Sequence, residues 1–355
     1  MSSPLSGRVD FGPARLQIRW GSRFSIVANT RVAAVTVVCL VVCLVAFLVS
    51  VVTGPYPVST GELIDIVSRQ GKPFPTKVVL EWRLPRAVAA VVFGAALGVS
   101  GAVFQSLTRN PLGSPDVIGF NTGAFTGALI SIVFLSGSAL TTITFAFIGG
   151  IATAVAVYLL AYRSGVDGFR FVLVGVGVSA ALSAVNSLIV LKADTRVALT
   201  ASIWGQGSLE NLRWAQAAPS TLLLAAMIPA TMAIGRHLRQ LELGDDHARG
   251  TGARIEPTRL ASVVAGIGLI ALVTSVCGPV AFLALAAPQL ARVLTASAGT
   301  NLIASAAVGG ALLIIADLVA GRVFPSPVPV GIVTVVIGGS YLTWLLTRRI
   351  RIRTS

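Results

Sequence analysis

The chain is a succession of apolar stretches, at about 32–53, 84–107, 116–135, 139–162 and 170–192, then 214–235, 260–276, 279–294, 302–321 and 329–347. Most approach the roughly 20 residues that an α-helix needs to cross a bilayer core. In lipid a spanning segment must satisfy its own backbone hydrogen bonds, and stretches of this length do so as helices. The fold class is therefore an all-α polytopic membrane protein. Hydropathy alone gives eight to ten spans, because 116–135 and 279–294 are short or broken by glycine and proline. Composition excludes a large soluble domain: 11% of the residues are charged, against roughly 25% in an ordinary globular chain.

A net charge of +14 would suggest nucleic acid in a soluble protein. Here the basic residues stand between apolar stretches, where they act as topology signals and headgroup contacts. Membrane lipids are the expected neighbours, and nucleic acid is not. With ten spans the termini share a side. An N-terminus-inside arrangement puts 18 of the 27 basic residues on inner segments and 9 on outer ones, which favours both termini in the cytoplasm of a plasma-membrane protein. The expected organisation is a basic N-terminal segment (1–31), one transmembrane domain (32–347) with an external loop at 54–82 and a cytoplasmic loop at 241–259, and a basic tail (348–355). The run Val32–Val52 is too long for a signal-peptide core and is read as a retained span. In the external loop, Ser59 and Glu62 have capping-box spacing ahead of Leu63, Ile64, Ile66 and Val67, so a short helix is expected there.

Enzymatic readings fail on missing partners. Gly98-Val99-Ser100-Gly101 spells the G-x-S-G of intramembrane serine proteases, but the two histidines, His237 and His247, lie in the basic inner loop, away from any serine that needs a base. No G-x-x-x-x-G-K-[ST] loop is present, so an ATP-driven process would need its motor on another polypeptide. Cys39, Cys43 and Cys277 sit inside apolar stretches and form neither a metal nor a disulfide framework. No catalytic residue, metal or cofactor is expected.

The segment from Arg83 to Gly127 is more specific. It opens with Arg83-Leu84-Pro85-Arg86, leaves its first apolar helix through Gln105-Ser106-Leu107-Thr108-Arg109-Asn110-Pro111-Leu112, and enters a glycine-rich second helix. This resembles the FecCD-type permease subunits of the iron-siderophore and cobalamin class of ATP-driven (ABC) importers, and the resemblance covers roughly residues 54 to 347. It implies ten helices in the type II importer permease fold. It also implies an assembly of two permeases, alike or different, with two ATP-binding subunits and an external substrate-binding protein.

Within 241–259, Gly244, Asp245, Asp246, Ala248, Arg249 and Gly252 match the family's L-G-E-E-x-A-R-x-x-G segment, which implies an ATPase-coupling helix. Asp245 and Asp246 also suit a helix start by charge, and Gly250 and Gly252 suit its end. Gly250 stands where a larger residue is common, which implies a shorter or looser helix. Arg83, Arg86 and Arg322 depart from the positive-inside trend. They read either as arginines snorkelling at helix ends or, by the resemblance, as docking points for the binding protein.

Asp317 lies alone in an apolar run, a functional candidate by default. An ion-coupled carrier would use it for coupling, whereas the matching A-D-x-x-A-R pattern reads as structural hydrogen bonding. The four-residue spacings of Gly94 with Gly98, and of Gly119, Gly123 and Gly127, predict close helix packing, either inside the subunit or along a dimer pathway. Gln105, Asn121 and Asn186 are polar in apolar surroundings and read as inter-helix hydrogen bonds or as pathway residues, with Asn110 and Pro111 in the turn between. Gln289 replaces the family's usual histidine in the Gly278-Pro279 to Arg292 block, which removes a group that titrates near neutral pH.

Overall fold

The computed structural model describes residues 15–20, 24–116, 119–162, 168–250, 252, 254–297 and 299–354. Residues 1–14 of the basic N-terminal segment, Arg23, Arg163 and two positions of the inner loop (251 and 253) lie outside the described residues. Strands β1 (Arg15–Trp20) and β2 (Phe24–Asn29) form an antiparallel hairpin with Arg15 opposite Asn29. This adds a small element to the all-α expectation, and the alternation of Leu16, Ile18 and Trp20 with polar residues is its sequence signal.

Among the described residues, fourteen α-helices follow. The first is α1 (Thr30–Val52), and the external loop holds α2 (Thr60–Val67) and α3 (Pro73–Lys77). A π-helical turn (Val78–Arg83) leads into α4 (Leu84–Thr108). Next come α5 (Phe120–Leu129, extended by a π turn to Phe134), α6 (Ala139–Ala161), α7 (Gly168–Lys192) and α8 (Thr195–Trp204). Then follow α9 (Trp214–Glu242), α10 (Asp245–Gly250) and α11 (Ile255–Cys277). The chain closes with α12 (Leu283–Thr295), α13 (Leu302–Arg322) and α14 (Val330–Thr354). Among the described residues, seven helices are long and apolar enough to span a membrane by length and composition. Three shorter apolar helices, Phe120–Phe134, Leu283–Thr295 and Val330–Trp344, account for the remaining expected segments.

The capping box forms as expected: the Ser59 side chain accepts from the Glu62 amide, and the Glu62 carboxylate accepts from the Ser59 amide. The two short spans begin later than hydropathy suggests. Gly119 takes φ 91° ahead of α5 and Phe282 takes φ 63° ahead of α12, so the residues before them turn instead of joining a helix.

Helix α4 is the core. Phe93, Leu97, Val99, Val103 and Phe104 are essentially fully buried, and α4 packs on α1, α9, α11, α12 and α13. Its closest neighbour is α13, and glycine sets that distance. A Cβ at Gly94 would meet the Gly309 carbonyl at 2.3 Å, and one at Gly98 would meet the Ser305 carbonyl at 2.1 Å. A second close pair joins α5 to α6, where a Cβ at Gly123 would stand 2.0 Å from Thr153 Oγ1 and one at Gly127 would stand 2.0 Å from the Phe145 carbonyl. These glycines therefore pack helices within the subunit, as small residues do where lipid supplies no hydrophobic drive.

Gly98→Ala should force α4 and α13 apart and destabilise by about 1–3 kcal/mol or more. Gly177→Ala, with no atom within 4 Å of the added Cβ, should be neutral or stabilising by about 0.5–1 kcal/mol. Thermal unfolding of both variants in detergent measures the difference.

Candidate functional site

Two polar ends and one groove concentrate the chemistry. At the first end, α4 finishes beside the α9–α10–α11 elbow. Helix α10 is a single short element between Gly244 (φ 110°) and Gly252 (φ 76°). Ala248 on its inner side is buried in a cluster with Leu241 and Ile255. The two acidic residues that open it face different ways. Asp245 pairs with Arg109 and, at 3.2 Å, with Arg259. Asp246 is fully exposed, and its nearest charge is Arg249 at 3.7 Å, itself 71% exposed. The sequence pattern treats the two aspartates alike, whereas the structure makes Asp245 and Ala248 the mount and leaves Asp246 and Arg249 on the outward face. Burial pushes the Asp245 carboxyl up, but the Arg109 and Arg259 guanidiniums outweigh it and hold it below the ordinary carboxylate value.

Sequence reasoning missed Glu242 at the end of α9. Its carboxylate accepts from Ser106 Oγ at 2.6 Å and from the Thr300 hydroxyl and amide, so it joins α9 to α4 and to the turn before α13. One turn deeper, Gln105 is buried: its Nε2 donates to the Leu285 carbonyl at 3.0 Å. Its Oε1 accepts from Gln289 Nε2 at 2.6 Å, and the same Gln289 group donates to the Pro111 carbonyl at 3.0 Å. Of the two readings left open for Gln105, inter-helix hydrogen bonding is the one found. Asn110 closes its own turn, its Oδ1 accepting from the Leu112 amide at 2.9 Å.

The groove is about 580 Å³, walled by α5, α7 and α8 and floored by Pro279. Asn121, Thr122, Ser183, Asn186, Ser187 and Ser202 supply amides and hydroxyls to it, and among the described residues no charged side chain lines it. Asn121 is also structural: its Nδ2 donates to Asp116 at 2.7 Å and its Oδ1 accepts from Thr274 at 3.1 Å. Asn186 donates weakly to the Thr122 carbonyl at 3.4 Å, while its buried Oδ1 has no partner among the described residues. Helix α7, which presents Asn186, is largely exposed in the single chain.

At the opposite end the three arginines meet. Arg83 is turned inward, donating to the Val52 carbonyl at 2.9 Å and to the Val51 and Tyr56 carbonyls, so it caps the last turn of α1, whose carbonyls lack helical partners. Arg86 Nε donates to both oxygens of Asp317, at 2.9 and 3.0 Å, and that carboxylate is 1% exposed. The structural reading of Asp317 is the one the geometry realises. Arg322 bonds Thr53 and the Ser50 carbonyl and is the exposed member of the three.

The model of the FecCD transport family matches residues 42–348. The ferric enterobactin transport system permease protein FepG of Escherichia coli K12 is 48% identical over 278 residues, 78% of this chain and 84% of that protein. The iron(3+)-hydroxamate import system permease protein FhuG of Bacillus subtilis 168 is 33% identical over 327 residues, 89% of this chain and 96% of that protein. Among solved structures, one described as a metal-chelate type ABC transporter in an inward-facing conformation superposes with a TM-score of 0.76 at 23% identity, over 89% of this chain and 99% of that one. At that identity the likeness speaks for the fold.

Asp317→Ala should leave Arg86 without its counter-charge and cost about 3 kcal/mol, the low end for a buried pair because Arg86 is partly exposed. Asp317→Asn keeps one acceptor and should cost less. Thermal midpoints of the two variants, compared in one detergent, give the order.

Proposed function

The chain belongs to the FecCD transport family, the permeases of iron-chelate ABC importers, and on that premise we propose that it is the membrane subunit of an ATP-driven machine that imports a ferric siderophore. The observation that carries the reading is α10: a short helix with a buried inner side and a charged, exposed outer face, in a chain that has no phosphate-binding loop of its own. Such an element suits docking to a separate ATPase. The two-to-one bias of basic residues places α10 and both termini in the cytoplasm. Two ATPases and two permeases, this one paired with itself or a similar chain, form the working unit, and an external binding protein delivers the chelate.

Opposite α10, the arginine-rich end faces outward in this orientation. Arg322, the exposed member, offers positive charge to acidic residues of the binding protein, where charge pairs steer and orient docking more than they add affinity, while Arg86 is held by Asp317. Arg83 supports that surface by holding the end of α1. The uncharged groove of Asn121 and Asn186 is the wall along which a hydrogen-bonding solute passes, with the second permease opposite. No covalent chemistry is assigned to the chain. The ion-coupled alternative assigns coupling to Asp317, and Asp317 is engaged by Arg86.

The reading is tested by co-purifying the tagged chain with its ATPase in detergent. Asp246→Lys with Arg249→Glu, which alter only the outward face, should weaken retention of the motor by about tenfold, about 1.4 kcal/mol of binding, with the permease still monodisperse. A chain that holds no ATPase, yet accumulates iron-55 ferric enterobactin under a proton gradient, would contradict it. Parallel assays with haem and cobalamin decide the chelate class.

A further inference from the structure

We infer that Arg109 is the positioning residue that fastens the α10 elbow to the end of α4, so that a displacement of α10 moves α4 and the Gln105–Gln289 pair with it. The inference rests on the proposed coupling role of α10 and adds the link by which its motion enters the bundle.

Arg109 closes α4 in the left-handed region, at φ 49°, where glycine or asparagine is the usual occupant. The backbone does not explain an arginine there; its side chain does. The Arg109 Nε donates to the Leu241 carbonyl in the last turn of α9 at 2.9 Å, and its terminal nitrogen pairs with Asp245, the first residue of α10. Asp245 is shared with Arg259 near the start of α11, and Arg259 also holds Glu256 at 2.9 Å. One guanidinium therefore grips both sides of the α9–α10 joint, and a second secures the exit into α11.

Gly244 and Gly252 have positive φ and no atom within 4 Å of a would-be Cβ, so the ties, not local packing at those glycines, fix where α10 points. A half-exposed ion pair contributes little stability by itself, which marks the contact as positional. From Arg109 the connection runs inward along α4: Gln105 lies one turn away on the same face. It bonds Leu285 and Gln289 of α12, and Gln289 bonds the Pro111 carbonyl in the turn that follows Arg109. Glu242 adds a second strap through Ser106 and Thr300. A continuous set of contacts thus runs from the docking face to a helix only 13 residues long in the middle of the bundle.

A chain of contacts becomes a coupling route only when both ends are shown to respond. The probe is the maleimide-labelling rate at Leu112→Cys, an exposed position beside Pro111, in a background lacking Cys39, Cys43 and Cys277. It is read on the full permease–ATPase complex, nucleotide-free and trapped with ATP and vanadate, and so needs no transported solute. With Arg109 present, the rate should change about fivefold or more on trapping. Arg109→Ala should cut that response below about twofold while the ATPase stays bound, because the outward Asp246 and Arg249 are untouched. Arg109→Lys keeps a cation beside Asp245 without opposing Arg259 and should retain at least about half of it, which a general loss of folding would not show.

A full response in Arg109→Ala, or a response in Arg109→Lys no greater than in Arg109→Ala, overturns the inference and leaves the coupling role of α10 intact. Loss of the motor from Arg109→Ala overturns it by placing Arg109 in the docking surface. A parent complex that forms but shows no nucleotide response at position 112 overturns the route from α10, whereas a parent that binds no ATPase overturns the proposed function as well.

Discussion

Backbone contact between α4 and α13, at Gly94 and Gly98 against Ser305 and Gly309, sets the position of everything else in the bundle. In lipid there is no hydrophobic gain in pressing one apolar helix on another, so association depends on close packing and on paired polar groups. Glycine lets the two backbones approach until main-chain atoms touch, and α4 is then enclosed by α1, α9, α11 and α12 as well. A helix buried on nearly every side behaves as a rod: bending it would open voids that the tight interior does not tolerate.

The rod matters because its two ends carry the polar attachments. At one end Arg83 and Arg86 tie it to the end of α1 and to Asp317 of α13. At the other, Ser106 and Arg109 tie it to α9 and α10. The surface proposed for the external partner and the surface proposed for the motor thus hold opposite ends of one element. The groove between α5, α7 and α8 has no charged lining among the described residues, so a solute taking the proposed path would meet hydrogen-bonding groups without a fixed charge to trap it. These features fit alternation between two arrangements of a rigid core better than chemistry on a bound molecule.

Much of this was legible in the sequence because the bilayer imposes a simple rule. Each apolar stretch became a helix, although α9 continues to Glu242, α14 continues to Thr354 and α11 starts already at Ile255, and the Ser59–Glu62 capping box formed as its spacing predicts. What could not be read depends on which way side chains point. Asp245 and Asp246 are neighbours in sequence, but a helix rotates successive residues by about 100°, which sends one to Arg109 and the other to solvent. Arg83 looks like a surface arginine until the end of α1 is placed beside it. Glu242 and Arg109 lie far apart in sequence, and only the fold shows that both fasten the same elbow. The late starts of α5 and α12 rest on positive φ at Gly119 and at Phe282; glycine announces such a turn, and phenylalanine does not.

The central claim is that movement through this chain is driven by ATP hydrolysed on a partner subunit. The most direct test is uptake of iron-55 ferric siderophore into proteoliposomes holding the reconstituted complex and its binding protein, with no ion gradient. The account predicts accumulation that starts with ATP on the α10 side, stops with vanadate and is unaffected by ionophores. Uptake that ignores ATP and collapses when the proton gradient is dissipated would contradict it.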